Sequence, residues 1–178
     1  DAYFYVSSSG FGSVNLTSSI YRNVYDNSKW NFAIRIKPEL YNHVDFESGS
    51  WSEGNAGYIF EFYGVNSILN EVQHEFLLTK SLTDIVPVTS ALRANKRLYI
   101  GAHYTDYDPD VVTHKSDVKF SSVRYWFDYI DDDTIKNHSY DVSSYGRKAS
   151  WQKTLFGLSA IGTNEIKQSE TLVLNWNF

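Results

Sequence analysis

The sequence predicts an all-β chain, antiparallel strands stacked as a β-sandwich with one or two short helical turns. Three observations predict it. Aromatic residues make up 17% of the 178 residues, as 14 Tyr, 11 Phe and 5 Trp, and such side chains suit a pleated, half-buried surface. Several runs alternate apolar and polar positions with period two, the pattern of a strand with one face in a core. These runs are irregularly spaced around one short capped helix, with no internal repeat of fixed period, as in a sandwich. The length fits one domain, residues 1–178, able to bury a core without staples.

Taken in order, Ala2 to Val6 is a short β-prone run, and the loose stretch SSSGFGS follows it. Val14 to Tyr25 holds no sustained period. Trp30, Phe32, Ile34 and Ile36 alternate with Asn31, Ala33, Arg35 and Lys37, a half-buried strand ended by Pro38. Glu39 to Ala56 is polar and turn-rich and predicts a loop. Tyr58, Phe60 and Phe62 face one way, and Ile59, Glu61 and Tyr63 the other. Asn66 to Asn70 reads as a hairpin turn, with a return strand over Val72–Leu82 that turns Phe76 and Leu78 inward. Asp84 to Ala94 reads as a weak turn of helix.

The centre of the chain is the unit from Asn95 to Gly146. Leu98, Ile100, Ala102 and Tyr104 alternate as a strand, an acidic loop follows, and Val123, Tyr125, Phe127 and Tyr129 alternate as a second strand. Asp131 is placed to cap a helical turn, since its carboxylate can accept from free N–H groups two and three residues on. Asp132 and Asp133 favour the positive end of that helix. Ile135 and His138 share its face, and Gly146 ends the excursion. The stretch from Arg147 to Ile166 predicts an edge strand plus loop, and Glu170–Phe178 a last strand with Leu172, Leu174, Trp176 and Phe178 on one face.

The strand Ser122–Trp126 running into the acid-capped turn Asp131–Ile135 resembles the C-terminal half of laminin-G-like domains. Trp30–Pro38 resembles their early tryptophan-bearing strand, and with SYDVSSYG and the closing LVLNWNF the set is most similar to the domains in large structural proteins of tailed bacteriophages. The resemblance implies a concanavalin A-like (laminin-G-like) antiparallel jelly roll. It further implies a non-enzymatic structural or adhesion module of a virion protein. Its partners would be neighbouring virion proteins or copies of itself, and its location the virion. The alternative is a carbohydrate-binding, lectin-like domain at a cell surface or outside the cell, using rim loops with or without Ca²⁺.

Bulk properties narrow the classes. A net charge of −5 and the lack of a basic stripe speak against nucleic acid as a partner. No run approaches the ~18 apolar residues of a membrane helix, and no signal peptide opens the chain. With 0 Cys there is no disulfide framework and no thiolate metal site. The chain has 0 Met, begins at Asp1 and stops within a strand-like run, as expected of a segment of a longer polypeptide.

Catalytic signatures fail one by one. Glycosidases of this fold need two acids facing one groove about 5 to 10 Å apart. Asp45 and Glu47 have strand spacing but lie in a loop-like stretch, and Glu61 stands alone among aromatics. His74-Glu75 begins a zinc-protease motif, but position 78 is Leu. No nucleophile elbow is present, since Gly157-Leu-Ser159 lacks the second glycine. Gly10-Phe-Gly12 lacks the third glycine of a dinucleotide fingerprint. The expectation is no enzyme and no cofactor.

Two candidate binding features remain. Asp106, Asp108 and Asp110 place three acids at alternate loop positions, a set that could offer oxygens to Ca²⁺. Val111 stands where an EF-hand needs glycine and Asp117 where it needs glutamate, so a solvated acidic loop is the simpler reading. Trp51, Tyr104, Tyr107 and Tyr145 lie in predicted loops, where a ring can present an amphipathic face to a glycan. The alternative for each is a plug at the end of the sandwich. His138 reads as structural, with the helix dipole favouring its cation.

Overall fold

The computed structural model of the chain describes residues 1–39, 57–104, 112–113, 115–147 and 168–178. β1 (Tyr5–Ser8) and β2 (Val14–Thr17) pair as a hairpin, and β3 (Trp30–Pro38), β4 (Tyr58–Ile68) and β5 (Glu71–Leu82) form a meander in the order β3-β4-β5. α1 (Ile85–Arg93) follows, then a two-rung ribbon of β6 (His103–Tyr104) and β7 (Val112–Thr113). β8 (Ser122–Trp126) pairs with β9 (Leu172–Asn177), and α2 (Asp132–Tyr140) and a 3₁₀ turn at Val142–Ser144 lie between them in sequence. Every strand pairing among the described residues is antiparallel. The chain is all-β with two short helices, the class its alternation predicts.

The alternation of β3, β4 and β5 sorts their side chains onto two faces, and along β4 both are covered. Phe60, Phe62, Phe76 and Leu82 gather on one face with Val14 of β2 and Val88 of α1. Phe4 closes over that cluster, its ring 4.6 Å from Trp30 and 4.7 Å from Phe32 between centroids. On the other face Tyr63 and Val65 meet Ile130 and Ile135, with Ala33 and Trp126 packed against them. Burying each large apolar side chain of this kind contributes roughly 1.5–3 kcal/mol, so α2 is held chiefly by its Ile135 face.

Local chemistry explains where the elements differ from expectation. The run Leu98–Tyr104 keeps strand pairing only at His103–Tyr104. Gly101 sits at φ +75°, and its carbonyl accepts from both the backbone N–H and the hydroxyl of Ser116, at 2.7 and 3.1 Å. The chain therefore bends there instead of extending. β8 stops at Trp126 rather than Tyr129, because Asp128 Oδ1 takes the Tyr129 N–H at 2.7 Å. In β9 a register shift opposite Tyr125 and Trp126 pairs Leu172 with Trp126 and Leu174 with Tyr125. Leu172 thereby leaves the face expected to hold it with Leu174, Trp176 and Phe178. Asp84–Ala94, expected as a weak turn, contains the full nine-residue α1; Pro87 is tolerated because it falls in the first turn. The stretches 40–56 and 148–167, expected as a loop and as an edge strand plus loop, lie outside the described residues.

Two positions carry visible backbone constraints. Leu69 and Asn70 join β4 to β5 at φ 51° and 64°, the positive values a two-residue type I′ turn demands. Leu69 is 93% exposed, so its side chain gains nothing in return for a conformation that costs a non-glycine residue about 1–2 kcal/mol. Gly64 lies under Phe76: a Cβ there would overlap the ring atoms Cε1 and Cζ and reach Phe32 Cδ1 at 3.2 Å. Leu69→Asn should raise stability by about 0.5–1 kcal/mol, since Asn tolerates the left-handed region. Gly64→Ala should lower it by about 1–3 kcal/mol through overpacking. Urea unfolding with an unchanged denaturant slope would register both.

Candidate functional site

On the face of the meander that meets α2, pairing places Arg35 of β3 directly opposite Glu61 of β4. Glu61 is 3% exposed and would be costly to bury alone. Arg35 Nη2 lies 2.8 Å from Glu61 Oε2 and Lys37 Nζ 2.7 Å from Oε1. The Tyr129 hydroxyl donates to Oε2 at 3.0 Å. Arg35 in turn donates from Nη1 to the Ile130 carbonyl at 2.9 Å and meets Asp132 at the start of α2. Its guanidinium lies 5.4 and 4.9 Å from the ring centroids of Tyr63 and Tyr129, within cation–π range. The Arg35–Glu61 contact is a charge pair and not an aligned hydrogen bond, as Nη2 has no hydrogen-bond partner.

This corrects the sequence reading of Glu61 as standing alone among aromatics. Both its oxygens are occupied, Oε1 by Lys37 and Oε2 by Arg35 and the Tyr129 hydroxyl. The hydrogen bond to Glu61 raises the Lys37 pKa above the usual ammonium value. Burial pushes the Tyr129 phenol up, reinforced by the same carboxylate. A parallel tether joins α2 to β5: the Tyr63 hydroxyl donates to Glu75 Oε1 at 2.8 Å, and Lys136 Nζ reaches the same oxygen at 2.9 Å. Burial, reinforced by the Glu75 bond, also pushes the Tyr63 phenol up.

The helix α2 starts as its sequence predicts. Asp131 Oδ1 accepts the Thr134 N–H at 2.7 Å, and Asp132 and Asp133 occupy the first turn. Ile135 and His138 are both buried. His138 stacks on the Trp126 indole at 5.4 Å and 24°, and Gly146, at φ +78°, closes over it. A Cβ on Gly146 would lie 2.5 Å from Thr134 Cγ2 and 2.9 Å from His138 Nε2. Contrary to the dipole expectation, the His138 pKa is pushed down to about 4, by burial first and the Arg124 charge second. At neutral pH the imidazole is uncharged.

Of the residues predicted to bind, Tyr145 is placed in full. It is half-buried at φ 53°, its hydroxyl accepts from Asn175 Nδ2 at 3.0 Å, and the Arg124 guanidinium lies 4.5 Å from its ring centroid. It therefore ties the end of the α2 excursion to β8 and β9. Tyr104 pairs through its backbone with Val112. Trp51, Tyr107, Asp106, Asp108 and Asp110 lie outside the described residues.

Sequence reasoning missed an aromatic display on the β8–β9 ribbon. Trp126 and Arg124 point toward α2 and its following turn, and the alternate residues point away. Tyr125, Phe127, Trp176 and Phe178 are all exposed, Phe127 at 75% and Phe178 at 72%. They lie as two edge-on pairs, with ring centroids 5.6 Å apart for Tyr125–Phe127 and 6.5 Å for Trp176–Phe178. Trp176 and Phe178 border an open depression lined also by Leu98 and Ile100. The signal was present, since both strands alternate aromatics; what the sequence could not give was which face the rest of the chain covers. Among the described residues, no cluster of three or more His, Asp or Glu is placed to hold a metal ion, and no helix is long and apolar enough to cross a membrane.

Glu61→Ala should destabilise the protein by about 3–5 kcal/mol, because it strands a buried arginine. The double change Arg35→Met with Glu61→Leu should recover most of that loss, as a buried pair replaced by apolar residues is often neutral. Asp131→Ala should cost about 1 kcal/mol through the lost cap. Equilibrium denaturation of the variants checks all three.

No family model matches the sequence, and no curated protein and no solved structure is significantly similar to it.

Proposed function

We propose that the chain is a non-enzymatic docking module of a bacteriophage virion protein, built on a concanavalin A-like (laminin-G-like) jelly-roll sandwich. Its occupant is a neighbouring protein chain of the particle. The observation that carries this reading is the exposed aromatic face of β8–β9, where Tyr125, Phe127, Trp176 and Phe178 stand outward on a ribbon braced from behind. Exposed aromatics grouped on a rigid support are the composition of an interface core, where Trp and Tyr dominate the binding energy.

Chemistry favours a protein over the alternatives. Among the described residues the polar groups lining the depression are Asn175 and Asn177, and Asn175 is already bonded to Arg124 and Tyr145. A glycan site needs several free donors and acceptors converging beside a ring. A net charge of −5 disfavours nucleic acid. The acid-capped helix following β8 is the feature that the laminin-G-like resemblance implies, and it favours the jelly-roll reading.

Phe127→Ser with Trp176→Ser should leave the fold intact and weaken association with the neighbouring virion chain at least tenfold, since aromatic anchors of this kind contribute about 2 kcal/mol or more. Sedimentation and cross-linking in the assembled particle would measure it. Unchanged association would overturn the reading. Glycan-array binding that is lost in the same variant would install the lectin reading in its place.

A further inference from the structure

The end of α2 and the turn after it form a joint with an unusual charge content. Three cations converge on its carbonyls: Lys29 Nζ donates to Ser139 O at 3.2 Å, Arg124 Nη2 to Val142 O, and Arg147 Nε to Ser144 O at 2.8 Å. Among the described residues the anion beside them is Asp141, its Oδ1 taken by the Ser143 N–H and hydroxyl at 2.8 and 2.7 Å. His138 sits in the middle, 8% exposed, between the Trp126 indole of β8 and the Tyr145–Gly146 turn. Its Nε2 is buried without a hydrogen-bond partner, and Gly146 covers that atom so closely that a methyl group would not fit.

We propose that this joint is an acid-released latch: a proton on His138 Nε2 parts the Tyr145–Gly146 turn from α2 and from the back of β8. The added N–H finds no acceptor in place, and an unsatisfied buried donor is costly. Among the described residues the added charge joins Lys29, Arg124 and Arg147 beside Asp141. The helix dipole and a backbone bond to Tyr145 act the other way, but burial and the Arg124 charge outweigh them. Burial already holds His138 deprotonated to about pH 4, and Lys29 and Arg124 are likewise pushed down by burial, so the joint resists a further cation. The sign follows from linkage. The folded-state pKa lies below the unfolded 6.5, so the open form binds the proton first; closure is fully favoured above pH 6.5 and weakens as pH falls toward 4.

Hydrogen exchange from pH 7.5 to 4.5, corrected for intrinsic rates, tests the latch on the whole chain. Amides of residues 134–147 should lose protection about tenfold by pH 5.5 and more below it, while those of β4 and β5 hold theirs. His138→Gln should flatten that dependence. Equal loss in β4 and β5, or the same pH dependence in His138→Gln, would overturn the proposal. Should that variant not fold, an NMR titration of His138 in the unaltered protein decides: a midpoint near 6.5 with no change in residues 134–147 overturns it, and a midpoint near 4 with broadening confined to them upholds it.

Discussion

A glutamate in the middle of a strand covered on both faces sets the terms for the rest of this structure. β4 is the central strand of its meander, with aromatics on one side and α2 on the other. Glu61 falls on the α2 side, and a buried carboxylate there is tolerable only if cations and hydroxyls converge on it. Arg35 and Lys37 come from β3 and Tyr129 from the segment after β8, and Arg35 is held in turn by the Ile130 carbonyl and by Asp132 of α2. Satisfying one acid therefore fixes the pairing of β3 with β4 and the seat of α2 in a single step.

The same two-sided logic organises β8. Its alternate residues divide the strand into a back that holds the joint after α2 and a front that meets solvent. Trp126 stacks on His138 and Arg124 bonds Val142 and Asn175, which stiffens the ribbon. A stiff ribbon can display Tyr125 and Phe127 without collapsing them onto the core. Preorganised display lowers the ordering cost a partner would otherwise meet. Its front and back are thus coupled through one strand only five residues long.

Much of the fold was legible because its signals are local. The alternation of Trp30 to Ile36 and Tyr58 to Tyr63, the Asp131 cap and the Gly146 stop each depend on neighbours within a few residues. The Arg35–Glu61 pair was not legible for the opposite reason. A long connection separates β3 from β4, so no tight turn fixes their register, and register decides who stands opposite whom. Gly101 ended a run that alternation alone would extend, because a positive φ is invisible to a period count. His138 was read from its helix position, where the dipole favours a cation; burial between Trp126 and Gly146 reverses that. Of the binding candidates, only Tyr145 is placed with its side chain, and its role in tying Arg124 to Asn175 depends on a contact across 30 residues.

Register also explains what a buried charge cluster offers that an apolar one would not. Side chains on a strand alternate with period two, so a one-residue slip of β3 against β4 would break the Arg35–Glu61 pairing. Turning β4 over would drive Glu61 toward Phe76, Val14 and Val88, and bring Phe60 and Phe62 against α2. Apolar residues in their place would tolerate several such arrangements with small differences in energy, because hydrophobic burial is not directional. An ion pair with a phenol and a backbone carbonyl tolerates one. The cluster's contribution is therefore measured less by net stability than by the gap between this arrangement and its neighbours. Among the described residues β3 lies at the edge of the three-stranded sheet, with Phe32 and Ile34 exposed on it, and there that gap matters most. Strands that can slip can also pair with the wrong chain.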